Sequence, residues 1–139
     1  MIIVDTSVVY KWIVDEELPD TQNAKELLRL FLTKQLEITA PDILLYELSN
    51  IFAFKSQIPG EEKQIAWIFF KKLHLPVVFP TLDFIEACID FAQIHTVSIY
   101  DGSYAVLAKK NKCNLVTADA KFVRKVNLPF VKLLNQYSS

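Results

Sequence analysis

The chain predicts an α/β fold: a central, mainly parallel sheet of four or five strands flanked by helices. Three observations lead there. Short runs rich in β-branched residues alternate along the 139 residues with longer segments whose apolar residues recur at helical spacing. The first run, Ile2, Ile3 and Val4, shows no polar alternation, which suits a parallel strand covered on both faces. Capping and turn residues separate the two kinds of segment, and Asp5-Thr6-Ser7 is the first such junction.

After that junction, Val8, Val9, Trp12 and Ile13 supply the face of a first helix. The acidic turn Asp15-Glu16-Glu17-Leu18-Pro19-Asp20 ends it. A second helix is expected over residues 21–36, with Leu27, Leu28, Leu30 and Phe31 on its apolar side. Ile38, Thr39 and Ala40 then form a short strand that Pro41 ends. Asp42 opens a third helix, with Leu44, Leu45, Leu48, Ile51 and Phe52 on one broad face. Glu47, three residues after Leu44 and one before Leu48, lies close to the packed side of that helix. Ile58-Pro59-Gly60 breaks the chain, and residues 61–73 resume as a helix. Acids in its first turn and Lys71 and Lys72 in its last match the macrodipole. Trp67, Phe69 and Phe70 are spread around it, so at least one is expected to pack against another chain or a long loop.

Val77, Val78 and Phe79, bounded by Pro76 and Pro80, form a third strand suited to a sheet edge. Thr81 caps the next helix, whose buried side is read as Phe84, Ile85, Cys88, Ile89 and Ala92. His95 ends it where a cation suits the dipole, and His74 ends the helix before it. Neither has a Cys or second His spaced to make a zinc site, so His95 reads as structural and His74 as a surface residue. Ser98 and Asp101 have the S-x-x-D capping-box pattern ahead of a helix through Tyr104, Ala105, Leu107 and Ala108 that ends in Lys109, Lys110 and Lys112. Asn114–Thr117 is a strand, and Asp119 follows its end much as Asp5 follows the first. Phe122 and Val126 mark a short helix, residues 130–134 a last strand, and Ser138-Ser139 a loose tail. No repeat, linker or low-complexity tract interrupts this order, so residues 1–139 read as a single domain.

A 52% hydrophobic composition demands a sizeable core. No apolar run approaches the roughly 20 residues needed to cross a bilayer, and no basic region precedes the first apolar residues, so a cytoplasmic protein without membrane contact is expected. Cys88 and Cys113 lack metal-ligand spacing and read as reduced thiols. The net charge of −1 conceals an asymmetry. Residues 1–100 carry eight Lys/Arg against fourteen Asp/Glu, whereas residues 101–139 carry seven against two. The basic stretch is either a solvated face or one that meets phosphate.

Several chemistries are excluded. With only Gly60 and Gly102, the chain has neither a G-x-G-x-x-G dinucleotide turn nor a Walker phosphate loop, and no G-x-S-x-G nucleophile elbow is present. Asp5 lacks the adjacent second Asp of a phospho-aspartate receiver or a D-x-D phosphatase. What remains is carboxylates. Asp5, Glu47, Asp101 and Asp119 each fall at a predicted strand end or early in the helix that follows, where ligands of parallel sheets bind. Each can also be read as a helix cap or a solvent-edge acid. Gathered together they would repel and take up protons unless a hard cation such as Mg²⁺ or Mn²⁺ neutralised them. Such an ion polarises a phosphoryl oxygen and generates hydroxide from water, the chemistry of phosphodiester hydrolysis.

Four segments carry these acids: Asp5-Thr6-Ser7 after Ile2-Ile3-Val4; Leu44-Leu45-Tyr46-Glu47-Leu48-Ser49-Asn50; Tyr100-Asp101-Gly102-Ser103-Tyr104-Ala105; and Leu115-Val116-Thr117-Ala118-Asp119-Ala120-Lys121-Phe122. In order and spacing they resemble the four acidic motifs of PIN domains, across nearly the whole chain. The branch that looks most similar is the VapC-type toxin ribonucleases of type II toxin–antitoxin systems. The resemblance implies a PIN-like three-layer sandwich. It also implies a catalytic cluster of Asp5, Glu47, Asp101 and Asp119 that cleaves single-stranded or structured RNA with Mg²⁺ or Mn²⁺. Asp5 and Asp101 would be the main metal ligands, Glu47 and Asp119 would complete the cluster, and Thr6 and Thr117 would support it as donors. A homodimer and a cognate antitoxin are further implications, with the helix around Trp67 as a candidate contact. Lys109, Lys110, Lys121 and Arg124 are candidate RNA-phosphate contacts by charge.

One departure concerns Gly102. Early in a helix it costs about 1 kcal/mol relative to Ala, which suggests that something approaches closely, with substrate as the candidate. Alternatives to the toxin are a housekeeping RNA-processing nuclease and a catalytically silent PIN-like binding module whose acids only cap helices.

Overall fold

Ile2–Val4 is buried throughout its length and forms β1, the middle strand of a five-stranded sheet. The computed structural model describes residues 1–14, 17–55 and 58–137, so the expectations for Asp15, Glu16 and the Ser138-Ser139 tail fall outside the described residues. After β1 come α1 (Thr6–Ile13), α2 (Thr21–Leu32), β2 (Ile38–Pro41), α3 (Ile43–Phe54), α4 (Gly60–Leu73) and β3 (Val77–Val78). The chain continues through α5 (Leu82–His95), α6 (Ile99–Lys110), β4 (Asn114–Thr117), α7 (Ala120–Val126), β5 (Val131–Leu133) and a 3₁₀ turn, Leu134–Gln136.

The strand order is β3-β2-β1-β4-β5 and every pairing is parallel. Ile2 lies opposite Ile38 on one side and Asn114 on the other, Ala40 opposite Val77, and Leu115 opposite Val131. The proline-bounded strand is at the edge, as its sequence predicts. Right-handed crossovers place α1 to α4 on one face and α5 to α7 on the other. Packing agrees: α1 touches α2, α3 and α4, while α5 lies against α6, which covers β1, β2 and β4. The order therefore runs outward in both directions from the gap between β1 and β4, and that gap is the topological switch point.

Where sequence and structure differ, the reasons are local. The second helix ends at Leu32 rather than near Leu36, because Lys34 takes a left-handed conformation (φ 58°) and the Gln35 and Leu36 amides turn back to the Leu30 carbonyl. Both glycines lie in helices, so left-handed helix ends fall to residues with side chains, among them His74, Thr96 and Asn127. In α5 the inward positions are Phe84, Cys88 and Phe91, whereas Ile89 is 40% exposed. Gly102 serves the packing of α6 on α5: a Cβ there would meet Phe91 Cδ1 at 3.3 Å, so the close neighbour is a helix and not a substrate. On α4, Ala66, Phe70 and Leu73 are buried and Trp67 packs edge-on to Phe52, with ring centroids 5.6 Å apart. Ile65, Ile68 and Phe69 remain exposed on its other sides.

Candidate active site at the carboxyl edge of the sheet

Asp5 leaves β1 at the switch point with an extended backbone (φ −97°, ψ 178°), so its side chain is free to cap α1. Oδ1 accepts from the Ser7 amide at 3.1 Å, the Val8 amide at 3.3 Å and the Ser7 hydroxyl at 2.5 Å. Oδ2 accepts from the Thr117 hydroxyl at the end of β4. Both hydroxyls are themselves held from the β4–α7 turn: Ala118 N donates to Ser7 Oγ and Asp119 N to Thr117 Oγ1, each at 2.9 Å. The two strand ends are thus tied together through one carboxylate. Burial is the main influence on that group and pushes its pKa up to about 6, aided by the negative charge of Glu47 and opposed by the Ser7 and Thr117 hydroxyls and the Val8 amide.

Glu47 reaches the same place from α3. Its Oε2 accepts from Thr6 Oγ1 and from Tyr104 OH, both at 2.5 Å, and the two hydroxyls lie 2.9 Å from each other. Three contacts share two hydroxyl protons, so with Glu47 ionised both protons go to the carboxylate. Burial, then the Glu47 charge, pushes the Tyr104 hydroxyl far above its ordinary value and keeps it protonated as a donor.

Asp101 occupies the first turn of α6, exposed, with Ser98 Oγ donating to Oδ2 at 2.8 Å while the Asp101 amide donates to Ser98 Oγ at 3.0 Å. The capping-box reading of this pair is therefore correct as far as it goes. Asp119 caps α7 with Oδ1, which accepts from the Lys121 amide at 2.8 Å and the Phe122 amide at 2.9 Å. Its second oxygen takes no part in that cap.

All four acids nevertheless line one open cleft of about 410 Å³, together with Thr6, Ser7, Asn50, Ile51 and Tyr104. For Asp5 and Asp119 capping and convergence coexist, because a helix that begins at a strand end carries its N-terminal cap to the edge where ligands bind. Thr6 donates to Glu47 and Thr117 to Asp5. The basic candidates divide. Lys121 and Arg124 are exposed on α7, the helix Asp119 caps. Lys109 and Lys110 end α6, about 12 Å along its axis from Asp101, and line a separate cavity with Asp90, Phe91 and His95. Sequence reasoning missed Ser7 and Tyr104 as parts of the site. The available signal for Tyr104 is its place three residues after Asp101, on the same helix face.

An all-oxygen donor set of this kind fits a hard divalent cation. The raised pKa of Asp5 points the same way, since a cation would relieve the crowding of negative charge there. Among the described residues, though, no three acidic, His or Cys side chains stand grouped as a finished metal-binding set.

The family model of the PIN domain matches residues 2–128. The chain belongs to the PIN domain family. Solved structures agree in fold. A Pyrobaculum aerophilum protein, PAE2754, superposes with a TM-score of 0.69 at 16% identity, covering 96% of this chain and 90% of that one. A toxin–antitoxin complex from Klebsiella pneumoniae gives 0.69 at 13% identity over 99% and 100%. FitAB bound to the IR36 DNA fragment gives 0.67 at 16% identity over 100% and 99%. No curated protein matches the sequence. PIN domains are in general nucleases, and the cleft occupies the carboxyl edge of this PIN sheet. Among the described residues, no helix is long and apolar enough to cross a membrane.

Proposed function

We propose that this PIN domain is a metal-dependent endoribonuclease that cleaves phosphodiester bonds in single-stranded RNA, and that it is the toxin of a toxin–antitoxin pair acting in the cytoplasm. The observation that carries the reading is the convergence of Asp5, Glu47, Asp101 and Asp119, from four separate parts of the chain, on one cleft at the switch point. Asp5 and Asp101 would hold Mg²⁺ or Mn²⁺, with Glu47 and Asp119 completing the acidic wall. Such an ion supplies positive charge for a phosphoryl oxygen and acidifies water at neutral pH.

The chain's own residues set up that chemistry. Ser7 and Thr117 hold both oxygens of Asp5 in one orientation. Thr6 and Tyr104 hold Oε2 of Glu47, leaving Oε1 to orient a water against the phosphate. Lys121 and Arg124 are the phosphate contacts favoured by position, because α7 begins at Asp119. The whole chain acts as a single domain and pairs as a homodimer. An antitoxin covers the site, with the exposed Ile65, Ile68 and Phe69 of α4 as contact residues. Support for the antitoxin comes from the neighbour of like fold described as a toxin–antitoxin complex.

The test is cleavage of a labelled, unstructured RNA by the purified protein in Mn²⁺, with EDTA and Asp101→Asn as controls. Cleavage by the wild type alone, abolished by EDTA, is the expected result; cleavage retained by Asp101→Asn overturns the assigned site. Growth arrest on expression separates a toxin from a housekeeping nuclease.

A further inference from the structure

The two helical walls of the cleft carry the same short pattern. Tyr46-Glu47-Leu48-Ser49-Asn50 lies in α3 and Tyr100-Asp101-Gly102-Ser103-Tyr104 in α6: a tyrosine, an acid, a variable residue, a serine, and a fifth residue. In both copies the acid and the fifth residue line the cleft. In both, the serine hydroxyl turns back onto its own helix, Ser49 to the Leu45 carbonyl at 2.5 Å and Ser103 to the Tyr100 carbonyl at 2.7 Å. The walls meet where Tyr104 donates to Glu47.

Helical spacing fixes where the two tyrosines stand. Residues four apart are separated by about 40° around the axis, so Tyr46 lies beside Asn50 and Tyr100 beside Tyr104, each one turn nearer its helix N-terminus. Each stands one residue before an acid that lines the cleft and one helical turn before a fifth residue that lines it, and both are open to solvent, Tyr46 at 71% and Tyr100 at 60%. Neither tyrosine is itself part of the cleft lining; their place is at its rim, next in sequence to Glu47 and Asp101.

We infer that Tyr46 and Tyr100 are a pair of base-stacking platforms at the mouth of the cleft, taking unstacked bases of single-stranded RNA on either side of the phosphate that the carboxylates handle. This rests on the reading of the cleft as a site of phosphodiester cleavage. The chemistry suits the position. A carboxylate cleft repels the backbone it must hold, so binding has to come from elsewhere, and an aromatic face accepts any base while its hydroxyl tolerates water. Bases in a duplex are already stacked and cannot reach such a face, which selects single strands without reading their sequence.

The experiment measures binding of a 12-nucleotide oligoadenylate and of an abasic ribose-phosphate 12-mer of equal charge, with Ca²⁺ present to neutralise the carboxylates. It compares wild type, Tyr46→Ala, Tyr100→Ala and the corresponding Phe variants, and follows cleavage of the same oligoadenylate in Mn²⁺. Wild type is expected to favour the oligoadenylate at least tenfold. Each Ala variant loses about 5- to 100-fold of that affinity, the Phe variants keep it, and abasic binding is unchanged throughout. Equal affinity for the two oligomers, or Ala variants that bind oligoadenylate like wild type, overturns the inference. Tyrosines that matter only for binding a protein partner give that same negative result. Cleavage that persists beside it leaves the nuclease reading standing, whereas tyrosine-dependent binding without cleavage leaves the platforms and removes the nuclease.

Discussion

Asp5 and Asp101 bring the same side chain to the same cleft and are held there in opposite ways. Asp5 is half-buried and accepts from two backbone amides and two hydroxyls, so its geometry is set before anything binds, with burial pushing its pKa up to about 6. Asp101 is exposed and exchanges hydrogen bonds with Ser98 alone among the described residues. One acid is preorganised at an electrostatic cost that a cation would offset; the other keeps its water and is free to adjust to what arrives.

The largest expected effect tests whether the pair acts as a unit. Asp5→Asn and Asp101→Asn should each lower cleavage by at least about 100- to 1000-fold while the protein stays folded, as read by circular dichroism beside the activity assay. A variant that keeps wild-type turnover removes that acid from the site.

Stability against pH should then divide the two acids. Folding raises the Asp5 pKa, so the native state binds this proton more tightly than the unfolded chain. The resulting stabilisation is complete below pH ~4 and is lost as pH rises through about 6. Asp5→Asn cannot ionise and keeps a capping oxygen, so without divalent ions it should exceed wild type by up to about 3 kcal/mol at pH 7.5, with the gap closing near pH 4. Denaturant melts at the two pH values decide this, and a gap independent of pH contradicts the burial argument.

Adding Mn²⁺ is expected to close most of that gap. At a hundredfold excess over its dissociation constant the ion should stabilise wild type by about 2.7 kcal/mol. Neither Asn variant should respond. Equal responses from all three would mean that the two acids do not share an ion.

The smallest effects belong to the supports. Tyr104→Phe removes one of the two donors to Glu47 and should cost about 1 kcal/mol in a denaturant melt, since Thr6 remains. Ser98→Ala removes both the cap of α6 and the hydroxyl that donates to Asp101, and about 1 kcal/mol is again expected. Tyr104→Phe should also lower kcat more than it raises KM if Glu47 orients the attacking water, a split that a purely structural tyrosine would not produce.

Much of this was legible because it depends on neighbours in sequence. A buried β-branched run followed by Asp5-Thr6-Ser7, prolines around the β3 run, Thr81 and Ser98 ahead of their helices, and Asp119 after Thr117 all act within a few residues. What was misread depended on partners far along the chain or on one backbone angle. Ile89 follows helical spacing as well as Phe91 does, and only the approach of α6 decides which is buried. Gly102 faces Phe91, eleven residues back and on another helix. Where Lys109 and Lys110 stand was likewise beyond the sequence, since the length of α6, and not the charge run they share with Lys121, sets their distance from Asp101.

By itself the sequence determined the alternation of strands and helices, the parallel sheet it implies, and the placing of Asp5 and Asp119 just past strand ends, since hydrophobic period and capping chemistry are local. Tertiary structure alone decided that Thr117 would close on Asp5 and that Thr6 and Tyr104 would share Glu47. Those contacts join residues 41 to 112 positions apart, and only the folded sheet brings them within hydrogen-bond reach.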